Sequence, residues 1–144
     1  MQSNLHETDF YGWTQQQAEL LRKGKLTEVD VMNLIEEIED MGGSEKRELE
    51  SRLGVLFMHL LKWRYQPTHR GHSWRLTIAE QRSKIARRLR KSPSLKSSLE
   101  EIAADAYSDS RYGASRETGQ VLEVFPDDCP WTLAQVLDVD YLPD

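Results

Sequence analysis

The sequence predicts an all-α fold, and three observations carry that prediction. Apolar residues recur at spacings of three and four through most of the chain. Helix start and stop signals bracket those runs. No alternating polar–apolar stretch is long enough to found a sheet. The 144 residues are expected to form one domain, 1–144, able to bury about 68–70% of its unfolded surface.

Gly12-Trp13-Thr14-Gln15-Gln16-Gln17 predicts the first helix start. Thr14 is the expected cap and Gln17 reaches back to it, a capping box, with the stop at Gly24. Pro130-Trp131-Thr132-Leu133-Ala134-Gln135 repeats the pattern and predicts a short C-terminal helix. In each copy the tryptophan is placed to staple onto the fourth helical position, Ala18 or Val136.

A second helix is expected over residues 30–41, where Val31, Leu34, Ile35, Ile38 and Met41 share one face. Gly42-Gly43-Ser44 reads as a short joint, with Ser44 capping a third and longest helix over 44–65. Its stripe is Leu49, Leu53, Leu56, Leu60 and Trp63, widened by Phe57 and Leu61. So short a joint implies a central hairpin of two antiparallel helices. Pro67 ends it.

Ser73 is the expected cap of a fourth helix over 73–91, with Trp74, Ile78, Gln81, Ile85 and Leu89 inward. Ser92-Pro93-Ser94 starts a fifth, to about Thr118, along Leu95, Leu99, Ile102 and Ala106. Gly113 weakens it by about 1 kcal/mol relative to alanine, and Gly119 stops it. Val121, Leu122, Val124 and Phe125 read as a short extended piece. The sum is a single-domain bundle of about five main helices, with a central hairpin and a short C-terminal helix.

The net charge of −5 conceals an asymmetry. Residues 1–50 carry twelve acids and five bases, residues 62–96 eleven bases and one acid, and residues 97–144 eleven acids and two bases. The segments can neutralise one another, or leave a basic face for an anionic partner. The single cysteine, Cys129, permits no internal disulfide and fits a reducing, cytoplasmic setting. The polar start MQSNLHETDF reads as neither signal peptide nor anchor, and no run approaches the ~20 apolar residues a membrane span needs.

Glu48, Arg52 and His59 fall on one stripe at spacings of four and seven. The hairpin would set Glu37 opposite them, which makes Glu37, Glu48 and His59 the candidate catalytic and metal-binding residues. Against this, no Glu-x-x-His pair exists, and Ser51 stands three residues after Glu48. The simpler reading is a salt-bridge edge, Glu48 with Arg52 and Glu37 with a base of the fourth helix, His59 being a hydrogen-bonded boundary residue. His69 and His72 alone make a weak zinc pattern. Neighbouring acids should raise the Cys129 thiol, which opposes a nucleophile. Gln81, mid-stripe, needs polar partners in the core. Arg82, Lys84, Arg87, Arg88, Arg90 and Lys91 are the candidate contacts to an anion or nucleic acid.

Several stretches resemble one family. They are DFYGWT (residues 9–14), NLIEEIEDMG (33–42), SEKRELESRL (44–53), HLLKWRYQP (59–67), SWRLTIAEQR (73–82) and FPDDCPW (125–131). They resemble a family of small proteins abundant in cyanobacteria, catalogued as domain of unknown function number 29. The resemblance covers about Asp9 to Pro143. It implies an all-helical fold and a cyanobacterial source, and it implies no activity.

Three functional readings follow in order. The first is a non-catalytic, soluble helical interaction module that binds a protein partner or itself, with no cofactor. The second is a metal- or phosphate-dependent enzyme using Glu37, Glu48 and His59, which would require a divalent metal. The third is a nucleic-acid binder through the basic fourth helix.

Overall fold

The computed structural model describes residues 4–144. Its described residues form six α-helices and three short 3-10 segments, with no strand. The all-α expectation holds. The chain divides into two compact units, one ending at Ser44 and the other Glu45–Asp144.

The first unit holds α1 (Leu5–Thr8), α2 (Phe10–Arg22) and the beginning of α3 (Val31–Tyr65). The expected capping box at Thr14 is absent. Asp9 takes the cap instead, its carboxylate accepting from the Gly12 N–H at 3.0 Å. Thr14 lies inside α2 and donates its hydroxyl to the Tyr11 carbonyl at 2.7 Å. Past the end of α2, Gly24 takes φ +71°, the left-handed conformation that glycine adopts at low cost.

The expected hairpin is absent too. α3 runs unbroken for 35 residues through Gly42-Gly43-Ser44. A glycine that ends a helix turns left-handed, and the only positive-φ glycines among the described residues are Gly24 and Gly119. Glycine costs a helix interior only about 1 kcal/mol, which strong helix formers on either side outweigh. Gly42 is solvent-exposed, and a Cβ placed there meets no atom within 4 Å. Gly42→Ala should therefore raise stability by about 0.5–1 kcal/mol in urea unfolding. A destabilising alanine would show that the helix breaks at this point.

In the second unit, α3 supplies Leu49, Leu53, Leu56, Phe57, Leu60 and Leu61, all essentially inaccessible. Ile78, Ile85 and Leu89 of α4 (His72–Lys91) join them, with Ile102, Ala106 and Tyr107 of α5 (Leu99–Thr118). Phe125 and Val136, the latter on α6 (Leu133–Leu137), complete the core. Burial of a large aliphatic side chain stabilises by about 1.5–3 kcal/mol, so this cluster dominates the unit's stability.

Local details differ from the sequence reading in three places. Gly71 precedes α4 as its cap position, without a side-chain cap, so Ser73 lies inside the helix. Ser92-Pro93 opens a 3-10 segment, Pro93–Ser98, before α5 begins at Leu99. The tail after Gly119 holds a 3-10 turn, Leu122–Val124, where an extended piece was expected. Gly113 does not break α5; a Cβ there would press to 2.9 Å from the Met58 Sδ, so the small residue admits that side chain. At Thr132 the predicted capping box is complete. Thr132 Oγ1 accepts from the Gln135 N–H at 3.2 Å, and Gln135 Oε1 accepts from the Thr132 N–H at 3.0 Å.

Candidate functional site

Without a hairpin, Glu37, Glu48 and His59 do not converge. Glu37 and His59 lie 22 residues apart on one continuous helix, about six turns, too far to share an ion. Each has its own partner. Glu37 Oε1 lies 2.8 Å from His6 Nε2. Glu48 pairs with Arg52 at 2.6 Å and with Arg88 at 3.4 Å. His59 Nδ1 donates to the Val55 carbonyl at 2.8 Å, one turn back on its own helix. Burial pushes the His59 pKa below the usual imidazole value, because it disfavours the charged ring. No group of three or more His, Cys, Asp or Glu among the described residues could hold a metal ion. Glu37, for which a base of the fourth helix was expected, has His6 of α1 as its partner instead. The pairing of Glu48 with Arg52 is as read from the sequence.

The Cys129 thiol is raised, but by burial; its Sγ donates to the Trp131 carbonyl at 3.3 Å. Gln81 is buried and accepts from Arg52 Nη1 at 3.4 Å, so it belongs to a polar contact of the second unit.

Two surfaces of the described residues bear on function. One is in the first unit, where α3 meets α1 and α2 along its polar flank. The Trp13 indole donates to Asp30 Oδ2 at 3.1 Å, and Gln17 Oε1 accepts from the Asp30 N–H at 2.7 Å. The Asn33 side chain donates to Asp30 at 2.8 Å and, as the main cause, holds that carboxyl below its ordinary range. Asn33, Leu34 and Glu37 are half-buried. The apolar face faces water: Val31, Met32, Ile35, Ile38 and Met41 are all exposed, Ile38 by 64% and Met41 by 68%. The amphipathic helix is used the wrong way round for a buried one.

The other surface is in the second unit. Arg52 of α3 and Lys84, Arg87, Arg88 and Lys91 of α4 line a cleft of about 230 Å³. Lys84, Arg87, Arg88 and Lys91 are three and four residues apart and share one face of α4. Two of the predicted anion contacts lie elsewhere. Arg82 is buried, and its Nε donates to the Val136 carbonyl at 2.8 Å, so it pins α6. Arg90 is exposed and outside the cleft.

The family described as "Domain of unknown function DUF29" matches residues 5–142. The chain belongs to the DUF29 family. That match spans both units of this DUF29 protein, and so both surfaces. No curated protein and no solved structure matches the chain. No helix among the described residues of this DUF29 chain is long and apolar enough to cross a membrane.

Proposed function

We propose that this DUF29 protein is a non-catalytic interaction module whose first unit binds a basic amphipathic helix of a protein partner. The observation that carries this is the outward apolar stripe Val31, Ile35, Ile38 and Met41, which no described residue of the first unit covers. Apolar side chains at this spacing fit a helix laid alongside them. Charge selects the kind of helix. Residues 1–44 carry nine acids and three bases, and Glu39 and Glu37 border the stripe. A partner with lysine or arginine flanks is attracted; two such acidic stripes facing each other repel. A cytoplasmic setting, supported by the lone cysteine, and a cyanobacterial source, supported by the shared motifs, belong to the same reading.

The test uses a labelled helical peptide of about 20 residues, with a leucine stripe and lysine flanks. Fluorescence anisotropy should show saturable binding. Ile35→Lys with Ile38→Lys should weaken it about tenfold or more while leaving the melting temperature unchanged, because both side chains are exposed. A peptide with glutamate flanks should bind at least about tenfold more weakly. Equal binding by the double variant, or by the glutamate peptide, overturns the reading. So does a dimer in sedimentation that the double variant dissolves, because the occupant would then be a second copy.

A further inference from the structure

We infer that the cleft of Arg52, Lys84, Arg87, Arg88 and Lys91 is a binding site for a small oligophosphate, free or as the polyphosphate end of a nucleotide. The inference is independent of the first unit's apolar stripe.

Five cations share a cleft of about 230 Å³. The acids paired with these cations are Glu45, Glu48 and Glu80. Glu45 grips Arg88 Nη1 with both oxygens, at 3.0 and 2.9 Å. Glu48 bridges Arg52 at 2.6 Å and Arg88 at 3.4 Å. Glu80 lies 3.6 Å from Lys84, an exposed pair of small energetic weight. No carboxylate of the described residues comes within 4.0 Å of Arg87 or Lys91. Three acids thus offset five bases, and two cations are left over in a confined space. Like charges crowded together repel, and an anion of two or more charges relieves the repulsion.

The arrangement is also built for binding. The side chains of Arg52 and Arg88 are 26% and 23% exposed, and both are held by carboxylates. A guanidinium fixed in this way presents its remaining N–H donors in a set direction, and the fork suits phosphate oxygens. The helix dipole favours cations in the last turn of α4, which accounts for Arg88 and Lys91 singly. It does not account for Lys84, a full turn earlier, nor for Arg52, which comes from α3.

Size and lining narrow the ligand. The volume falls below the ~300–1,000 Å³ of pockets that enclose drug-sized ligands. No aromatic side chain lines the cleft, so a base has nothing to stack on. The phosphates are the recognised group.

Isothermal titration with tripolyphosphate, ATP, inorganic phosphate and a short DNA duplex tests this at fixed ionic strength. Tripolyphosphate should bind saturably at one site, and inorganic phosphate about tenfold more weakly. Arg87→Ala with Lys91→Ala should weaken tripolyphosphate about tenfold or more; both residues are exposed, and an unchanged melting temperature confirms the fold. Arg90→Ala, outside the cleft, should bind as the natural protein does. ATP matching tripolyphosphate identifies free oligophosphate as a sufficient ligand. ATP binding about tenfold tighter identifies a nucleotide as the source. The inference is overturned if tripolyphosphate gives no saturable heat, if the double variant binds equally, or if Arg90→Ala weakens binding as much. Binding of the duplex alone, with affinity falling steeply in salt, also overturns it in favour of a nucleic-acid surface.

Discussion

Phe57→Ala is expected to lower the unfolding free energy of the second unit by about 3–5 kcal/mol, the range for removing a buried aromatic ring. The ring is 1% exposed, midway along the buried stretch of α3. It meets Tyr107 of α5 edge-on, with centroids 5.5 Å apart. Tyr107 is anchored in turn: its hydroxyl donates to the Pro126 carbonyl at 2.6 Å, and burial raises its phenol well above the usual value. Beside it, Arg111 donates to the Phe125 carbonyl at 3.0 and 3.1 Å. Neighbours fixed in this way cannot collapse into the space the ring leaves, so the loss should fall at the upper end of the range. Domains of this size are stable by only ~5–15 kcal/mol in all. The change should appear as a large drop in urea midpoint with little change in slope. A loss under about 1.5 kcal/mol would mean that the ring is not packed between α3 and α5.

The stripe that holds Phe57 was legible in the sequence because it is periodic. Leucines at spacings of three and four define a face whatever lies opposite. What was not legible is where that helix begins. Gly-Gly-Ser reads as a joint only if the glycines turn left-handed, and no local signal decides this. The two Trp-Thr-x-x-Gln stretches make the same point. Cys129 precedes Pro130 and is kept out of the helical region, so the C-terminal helix begins where Thr132 caps it. No proline precedes Trp13, and Asp9 offers an earlier cap, so α2 starts at Phe10 and carries Thr14 inside. A residue several positions upstream decided the outcome, and it was there to be read.

The candidate sites divide along the same line. Glu37, Glu48 and His59 were brought together by an assumed hairpin and separate once it is removed. Arg82 could have been placed from the sequence. It follows Ile78 by four and precedes Ile85 by three, so it lies on the inner face of α4 with them. The same periodicity groups Lys84, Arg87, Arg88 and Lys91. The share of Arg52 in their cleft depends on how α3 packs against α4, a register that no local pattern encodes. Nor does periodicity say which face of an amphipathic helix is covered. In the first unit the half-buried flank is that of Asn33, Leu34 and Glu37, next to Asp30, which Trp13 and Gln17 both bind.

That arrangement makes Trp13 the single residue on which the first unit depends. Trp13→Ala is expected to cost about 3–5 kcal/mol of local stability, more than so small a unit can lose. Trp13 and Gln17 are the buried residues of α2, and α1 has none. The indole stacks on Phe10 with centroids 5.7 Å apart and takes His6 edge-on at 4.6 Å. Its N–H holds the Asp30 carboxylate, which also accepts from Asn33 at the start of α3. Alanine removes the apolar contact and one hydrogen bond together, and the short α1 has no propensity to persist alone. Hydrogen exchange should show the amides of α2 losing most of their protection, while those of residues 53–61 keep theirs. Circular dichroism should lose helical signal in proportion to α1 and α2 and no more. If the amides of residues 53–61 lose protection in parallel, the two units unfold as one, and Trp13 supports more than its own neighbourhood.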